Sequence, residues 1–172
     1  MRFRGTCYRA HDPKWAFKPH SGEGAKAHGG RFNARGVPAL YLALTIDGMF
    51  AEMSHGFSHR FEPLTVCSYD VDVDDLADLR NDVGRKANKV RLAELDCPWM
   101  LDVSEGRIPA SWALAKRLRA IGHAGILVPS FAHGARPGMT NLVLWKWGPD
   151  LPHKVDVHDP SHRLPKDQTS WS

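Results

Sequence analysis

Apolar residues recur along this chain at two periods, and turn residues separate the runs. Thr6-Cys7-Tyr8-Arg9-Ala10 alternates and reads as a first strand, ended by His11-Asp12-Pro13. Residues 12–30 carry Pro13, Pro19 and glycines at 22, 24, 29 and 30, and read as one long loop, of the length usually kept for function or motion. Ala39-Leu40-Tyr41-Leu42-Ala43 is a short buried strand. Ile46, Met49, Phe50, Met53 and Phe57 fall at helical spacing, which predicts a helix from about Ile46 to Phe57 with Thr45 as N-cap. On that helix Glu52 stands roughly 120° from the centre of the apolar face, on its flank, by the ~100° step per residue.

Leu64 to Val71 alternates again and is β-like. Residues 72–105 are acidic and polar, with Leu76, Leu79, Val90, Leu92 and Leu95 as anchors for short helices and loops. Pro109 to Ile121 predicts a helix with Pro at its start, Lys116, Arg117 and Arg119 late, and Gly122 at its end. Gly125–Ser130 and Thr140–Trp147 read as strands, and Val155 and Val157 as an edge strand. No internal repeat is visible. The pattern is α+β without regular βαβ alternation, in a single domain over residues 1–158, followed by a polar tail over 159–172.

A chain of 172 residues with 42% hydrophobic and 24% charged residues suits one soluble globular domain. No apolar run is long enough to span a bilayer, and Met1-Arg2-Phe3-Arg4-Gly5 has no apolar signal core behind it. Cys7, Cys67 and Cys97 are widely spaced and odd in number, so a reduced, cytoplasmic protein is expected. Residues 1–60 carry nine Lys/Arg against four Asp/Glu (+5), residues 61–105 five against eleven (−6), and residues 106–172 nine against four (+5). Two basic ends could meet around an anionic ligand. A solvated surface of mixed sign is the plainer reading, and no dense basic or aromatic-interleaved strip calls for direct nucleic-acid binding.

Three motif-like stretches carry little. Gly22-Glu23-Gly24-Ala25-Lys26-Ala27 fits the dinucleotide-loop spacing, but Lys18-Pro19-His20 before it is a poor parallel strand. His55 and His59 have helical spacing without the glutamate a zinc protease needs, and no cysteine pair has zinc spacing, so no metal is expected. Ser130 lacks the glycine context of a serine hydrolase.

The stretch with most to say is Gly29-Gly30-Arg31-Phe32-Asn33, followed by Tyr41 on the strand and Glu52 on the helix. The glycines permit a tight turn or a close approach, and Arg31 offers a planar fork suited to phosphate or carboxylate. Taken singly, Arg31 could be a surface arginine, Tyr41 a core aromatic and Glu52 an exposed helix residue. As a set, Tyr8-Arg9, Gly-Gly-Arg-Phe-Asn, Gly36, Leu40-Tyr41-Leu42-Ala43 and Ala51-Glu52, with a later Ser130 and then Asn141 opening the next strand, resembles the RES-domain family over roughly residues 5 to 147. Phe32 stands where tryptophan is commoner.

The resemblance implies a bacterial toxin paired with a helix-turn-helix antitoxin of the Xre type. It implies a fold like the ADP-ribosyltransferases, a bent, split mixed β-sheet with flanking helices and a cleft for NAD. The implied reaction cleaves NAD as substrate at the nicotinamide–ribose bond, with ADP-ribose passing to water, phosphate or a protein acceptor. Breaking that bond builds positive charge on the ribose. Nicotinamide leaves as a neutral molecule from a cation, so no acid is required. Within this scheme Glu52 steadies the ribose charge, while Arg31 and Arg9 hold the pyrophosphate or adjacent ribose. Tyr41 stacks on the nicotinamide or fixes its pose, and Ser130 bonds the ribose or orders the carboxylate. Asn141 pins a loop through backbone bonds. The competing expectation is a non-catalytic, small basic module that binds nucleic acid or nucleotide.

Overall fold

The computed structural model describes residues 1–54 and 62–169. Among them, seven strands form one curled mixed sheet in the order β4-β5-β6-β2-β1-β3-β7. They are β1 Phe3–His11, β2 Leu40–Ala43, β3 Thr65–Val73, β4 Leu76–Asp78, β5 Gly125–Pro129, β6 Thr140–Leu144 and β7 His153–Val157. Only β4 and β5 run parallel; every other neighbouring pair is antiparallel. The helices are α1 Glu23–His28, α2 Ile46–Ser54, α3 Asp82–Ala87, α4 Leu92–Leu95, α5 Trp99–Ser104 and α6 Ala110–Ala120, with a 3-10 turn at Pro13–Trp15.

The period-two pattern sorts side chains onto two faces. Leu40, Leu42, Leu127, Leu142 and Leu144 join Cys7, Tyr69 and Val71 in one core. Ile126, Val128 and Val143, from the alternate positions, meet Leu114, Ala115 and Leu118 of α6 in a second. Leu164 packs against the first core, so the tail is partly tied to the domain. Pro109 stands at the N-cap of α6, and Gly122, at φ +102°, lets the chain leave it.

The sheet is split in its middle. β1 pairs with β3 along nine residues, from Phe3↔Val73 to His11↔Thr65. With β2 it shares one pair, Tyr8↔Ala43. α2 lies over this gap, where Ala10, Ala43 and Met49 form a small third core with Tyr8 and Met53 against it.

The elements differ from the sequence expectation in three places. The 12–30 stretch is not all loop: it holds the 3-10 turn and α1, because Pro13 sits at a capped first turn and Glu23–His28 is free of internal proline. The acidic middle contributes a strand, β4, whose three residues are too few to show alternation. On α2 the apolar face is rolled: Met49 is buried, but Ile46 and Phe50 are 50% and 40% exposed. Gly48 lies on the side of the helix that meets the sheet. An added Cβ there would lie 2.9 Å from Thr45 Oγ1 and in ordinary contact with Ala43 Cβ at 3.8 Å and Met139 Cγ at 3.9 Å. Phe57, predicted on the same face, and the His55/His59 pair lie outside the described residues.

Candidate active site

Thr45 starts α2 as expected, its Oγ1 accepting from the Gly48 N–H at 3.2 Å. Because Gly48 faces the sheet, the residue four further on, Glu52, faces it too. This corrects the flank position read from the hydrophobic stripe. The carboxylate meets the ends of two other strands. Ser130, just past β5, donates from Oγ to Glu52 Oε1 at 2.5 Å. Asn141, on β6, donates from Nδ2 to the same oxygen at 2.5 Å. Asn141 therefore orders the carboxylate and does not pin a loop through the backbone, as the sequence reading had it; its place next to Ala43 in the β2–β6 register turns its side chain toward α2. Ser130 Oγ in turn accepts from the Ala132 N–H at 3.2 Å, which directs its own proton at Glu52.

Glu52 and Asn141 line a cleft in the split, with Tyr8, Arg9 and Ala10 from β1, Tyr41, Leu42 and Ala43 from β2, and Met49 and Met53 from α2. Apolar walls around one ordered carboxylate make a site where a charge counts for more than it would in water.

Tyr41 is held by its hydroxyl, which donates to Asn33 Oδ1 at 2.7 Å and accepts from the Phe32 N–H at 3.0 Å. Burial pushes its phenol well above the usual range, against the opposing pull of the Phe32 N–H and of Arg31. Asn33, read from sequence as part of a turn, is 1% exposed and donates from Nδ2 to the Ala25, Ala34 and Val37 carbonyls. Gly30 makes this possible: a Cβ there would lie 2.6 Å from the Tyr41 hydroxyl and 2.7 Å from Asn33 Oδ1. Two indoles brace the loop from behind. Trp112 of α6 donates to Gly30 O at 2.7 Å, and Trp145 to Phe32 O at 3.0 Å. Nothing in the sequence flagged these two, which stand 82 and 113 positions from their partners.

Arg31 reaches behind the loop. Its Nη1 donates to Leu95 O at 3.2 Å and Cys97 O at 2.9 Å, and the guanidinium stacks 5.1 Å from the Phe131 ring centroid. It thereby joins the glycine loop, the α4–α5 link and the segment after Ser130. Arg9 borders the cleft from β1, but its Nη1 donates to Pro19 O and Ser21 O, both at 3.0 Å. Strand alternation places its side chain with Cys7, on the face away from Tyr8 and Ala10. The structure thus brings Glu52, Ser130, Asn141 and Tyr41 to one face, and gives Arg31 and Arg9 bracing contacts at the edges.

Among the described residues no group of His, Cys, Asp and Glu could hold a metal ion, and no helix is long and apolar enough to cross a membrane. The Gly22–Ala27 motif opens α1 after an irregular segment and serves as ordinary helix start.

Among solved structures the chain is similar to one in the crystal structure of the M. tuberculosis MbcT–MbcA toxin–antitoxin complex. Identity is 22%, the TM-score 0.59, and the match covers 92% of this chain and 84% of that one, a likeness of fold. No curated protein is matched by the sequence. The RES domain model matches residues 6–167, spanning the split sheet, the glycine loop and the Glu52 cluster, and the chain belongs to the RES-domain family.

Proposed function

We propose that this chain is the toxin of a toxin–antitoxin pair and an enzyme that cleaves NAD at the nicotinamide–ribose bond, passing ADP-ribose to water, phosphate or a protein. The observation that carries the reading is Glu52, a carboxylate whose Oε1 is fixed by Ser130 and Asn141 at the wall of a largely apolar cleft.

Neither Ser130 nor Asn141 engages Oε2, which is left to meet the substrate. As the bond to nicotinamide lengthens, the electron pair goes to the ring nitrogen and positive charge gathers on the ribose. A carboxylate held beside that charge stabilises the transition state more than the ground state, which is what lowers a barrier. Its two donors fix the orientation beforehand, so little reorganisation is needed when the charge appears. Tyr41, locked through its hydroxyl, presents its ring to the nicotinamide side. Both bonds of Arg31 come from Nη1, so Nη2 remains for a phosphate oxygen in this reading. Arg9 serves the cleft as a brace for the 19–21 segment. The partner is a helix-turn-helix antitoxin of the Xre type that covers the cleft. Family membership and the fold shared with a chain of a toxin–antitoxin complex support that pairing.

The test is NAD incubated with the purified chain, wild type beside Glu52→Gln, with products separated by mass spectrometry, with and without phosphate and with lysate as acceptor source. The substituted amide keeps one acceptor oxygen for Ser130 and Asn141, and loses the charge and the second acceptor, Oε2, which becomes an NH2 donor. Turnover should fall on the order of 10²-fold or more. Nicotinamide release by wild type alone supports the enzyme, and the second product names the acceptor. No release under any condition sinks the proposal.

A further inference from the structure

The middle of the chain is acidic overall but holds one basic run: four of the seven residues from Arg85 to Arg91 are lysine or arginine. Arg117, in the last turn of α6, comes 29 positions after Asn88 and 28 after Lys89, yet lies against both. Charges that the sequence keeps apart are thus gathered by the fold. We infer that the surface formed by Lys86, Lys89, Arg91, Lys116 and Arg117 binds the phosphate backbone of a nucleic-acid duplex.

The surface is built on a fixed turn. At the end of α3 the Lys89 N–H donates to Lys86 O at 3.0 Å and the Val90 N–H to Arg85 O at 2.8 Å, with Val90 buried beneath. The left-handed residue of such a turn is most often glycine; here it is Lys89, at φ +54°. Arg117 fastens α6 to the turn, donating from Nη1 to Asn88 O and from Nη2 to Lys89 O, both at 3.3 Å. Glu94 is shared by Arg117 at 3.4 Å and Arg91 at 3.6 Å. Lys86, Lys89 and Lys116, the last next to Arg117 on α6, are exposed and have no ion pair among the described residues. Asp82, on α3, is taken by Arg85. Five cations therefore share one carboxylate that is already paired.

Its composition selects the partner. Neither residues 82–95 nor residues 113–121 contain an aromatic side chain. Val83 and Leu92, exposed on α3 and α4, are single aliphatic side chains of an ordinary kind. Single strands are held largely by stacking their bases on aromatic rings. Protein interfaces concentrate aromatic residues and are poor in lysine. A duplex keeps its bases stacked inside and offers about one negative charge per ~1.7 Å of its axis, which lysine and arginine alone can engage. None of the five cations lines the cleft at Glu52, so the inference is independent of the NAD reading.

The experiment titrates the full chain against a labelled mixed-sequence DNA duplex, the RNA duplex of the same sequence and the single DNA strand, by fluorescence anisotropy over a range of NaCl concentrations. The variants are Lys86→Gln/Lys89→Gln/Lys116→Gln and, as a control removing equal charge elsewhere, Lys14→Gln/Lys18→Gln/Lys154→Gln. Wild type should bind a duplex with an affinity that falls steeply with salt. In the first triple variant the slope of log Kobs against log[NaCl] should be shallower by about 2–3, and in the control it should be unchanged. Lys89→Gly relieves the left-handed backbone, so Tm should hold or rise while the slope shallows by about 1, which separates binding from folding. The tighter of the two duplexes names the source of the phosphates. No duplex binding by wild type at low salt overturns the inference, as does an unchanged slope in the first triple variant or an equal loss in the control. Tighter binding of the single strand overturns it too. So does loss of antitoxin capture with duplex binding intact, since the surface would then serve a protein.

Discussion

The hydroxyl of Ser130 donates to Glu52 Oε1 at 2.5 Å across 78 positions of sequence. With Asn141 on the same oxygen, three elements converge on a single atom: the helix over the split, the strand end at Pro129 and the start of β6. The carboxylate is aimed by groups that belong to the sheet, so its direction is as rigid as the sheet itself.

That convergence makes the two donors partly redundant. Ser130→Ala and Asn141→Ala should each lower NAD turnover about 10-fold, the scale of one hydrogen bond to a charged group. The double variant should lose more than the product, because either donor alone still fixes the same oxygen and only the double variant frees it. Steady-state kcat in the four-member cycle checks this. Strict multiplicativity would show that the two act on separate features.

Arg31 has a bracing duty that its sequence context did not reveal. Arg31→Ala should abolish most activity and also cost about 2 kcal/mol, or roughly 4–8 °C in Tm, by releasing the Leu95 and Cys97 carbonyls and Phe131. Lysine lacks the fork and the flat face, so Arg31→Lys should recover little stability. An unchanged Tm in Arg31→Ala would restore a purely ligand-facing role.

Gly30 and Gly24 make a matched pair. Gly30→Ala puts a methyl 2.6 Å from the Tyr41 hydroxyl, and should destabilise by about 1–3 kcal/mol while displacing the ring that floors the cleft. Gly24, in α1, has nothing within 4 Å of an added Cβ. Gly24→Ala should therefore be neutral or stabilising by up to ~1 kcal/mol, the helix-propensity difference. Thermal melts of the two variants separate the contact effect from the generic loss of a glycine.

His11 gives the fold a dependence on pH. Both ring nitrogens are buried with no hydrogen-bond partner among the described residues. Burial first, then the charge of Arg9, lowers its pKa from 6.5 to about 4, with Asp12 pulling the other way. The native state thus holds the ring neutral. An unfolded chain takes up a proton below about 6.5 and the folded one only below about 4, so stability should fall as pH drops through that window and level off beneath it. His20, lowered chiefly by burial, adds in the same direction. His11→Gln should flatten the fall of Tm between pH ~7 and ~4; an identical slope would move the effect to other groups.

Much of the site was legible because its chemistry is crowded into short range. Gly29 to Glu52 supplies the loop, the strand tyrosine and the helix carboxylate in order, and the strands carrying Tyr41 and Asn141 were readable as short apolar runs. What sequence could not give is direction. The stripe Ile46, Met49, Phe50, Met53 marks an apolar face, but the side that meets the sheet also carries Gly48, beside Ala43, which has no side chain to count in the stripe. Arg9 and Arg31 carry the right charge, but which way a long side chain turns depends on carbonyls offered by segments 10 and 64 residues away. The braces from Trp112 and Trp145 have no local trace at all, since an indole filling a core and an indole holding a carbonyl look alike in sequence.

The single pair joining β1 to β2 has a consequence for how this protein tolerates change. A strand edge parted from its neighbour keeps its peptide N–H and C=O groups, and whatever enters the gap is met by main chain as well as by side chains. Amide groups are the same in every residue but proline. Contacts made through them do not depend on which side chain the residue carries, so substitutions along these strands that the core tolerates should leave that part of the proposed site intact. In this family, proline scanning along β1 and β2 will read the binding surface more faithfully than alanine scanning.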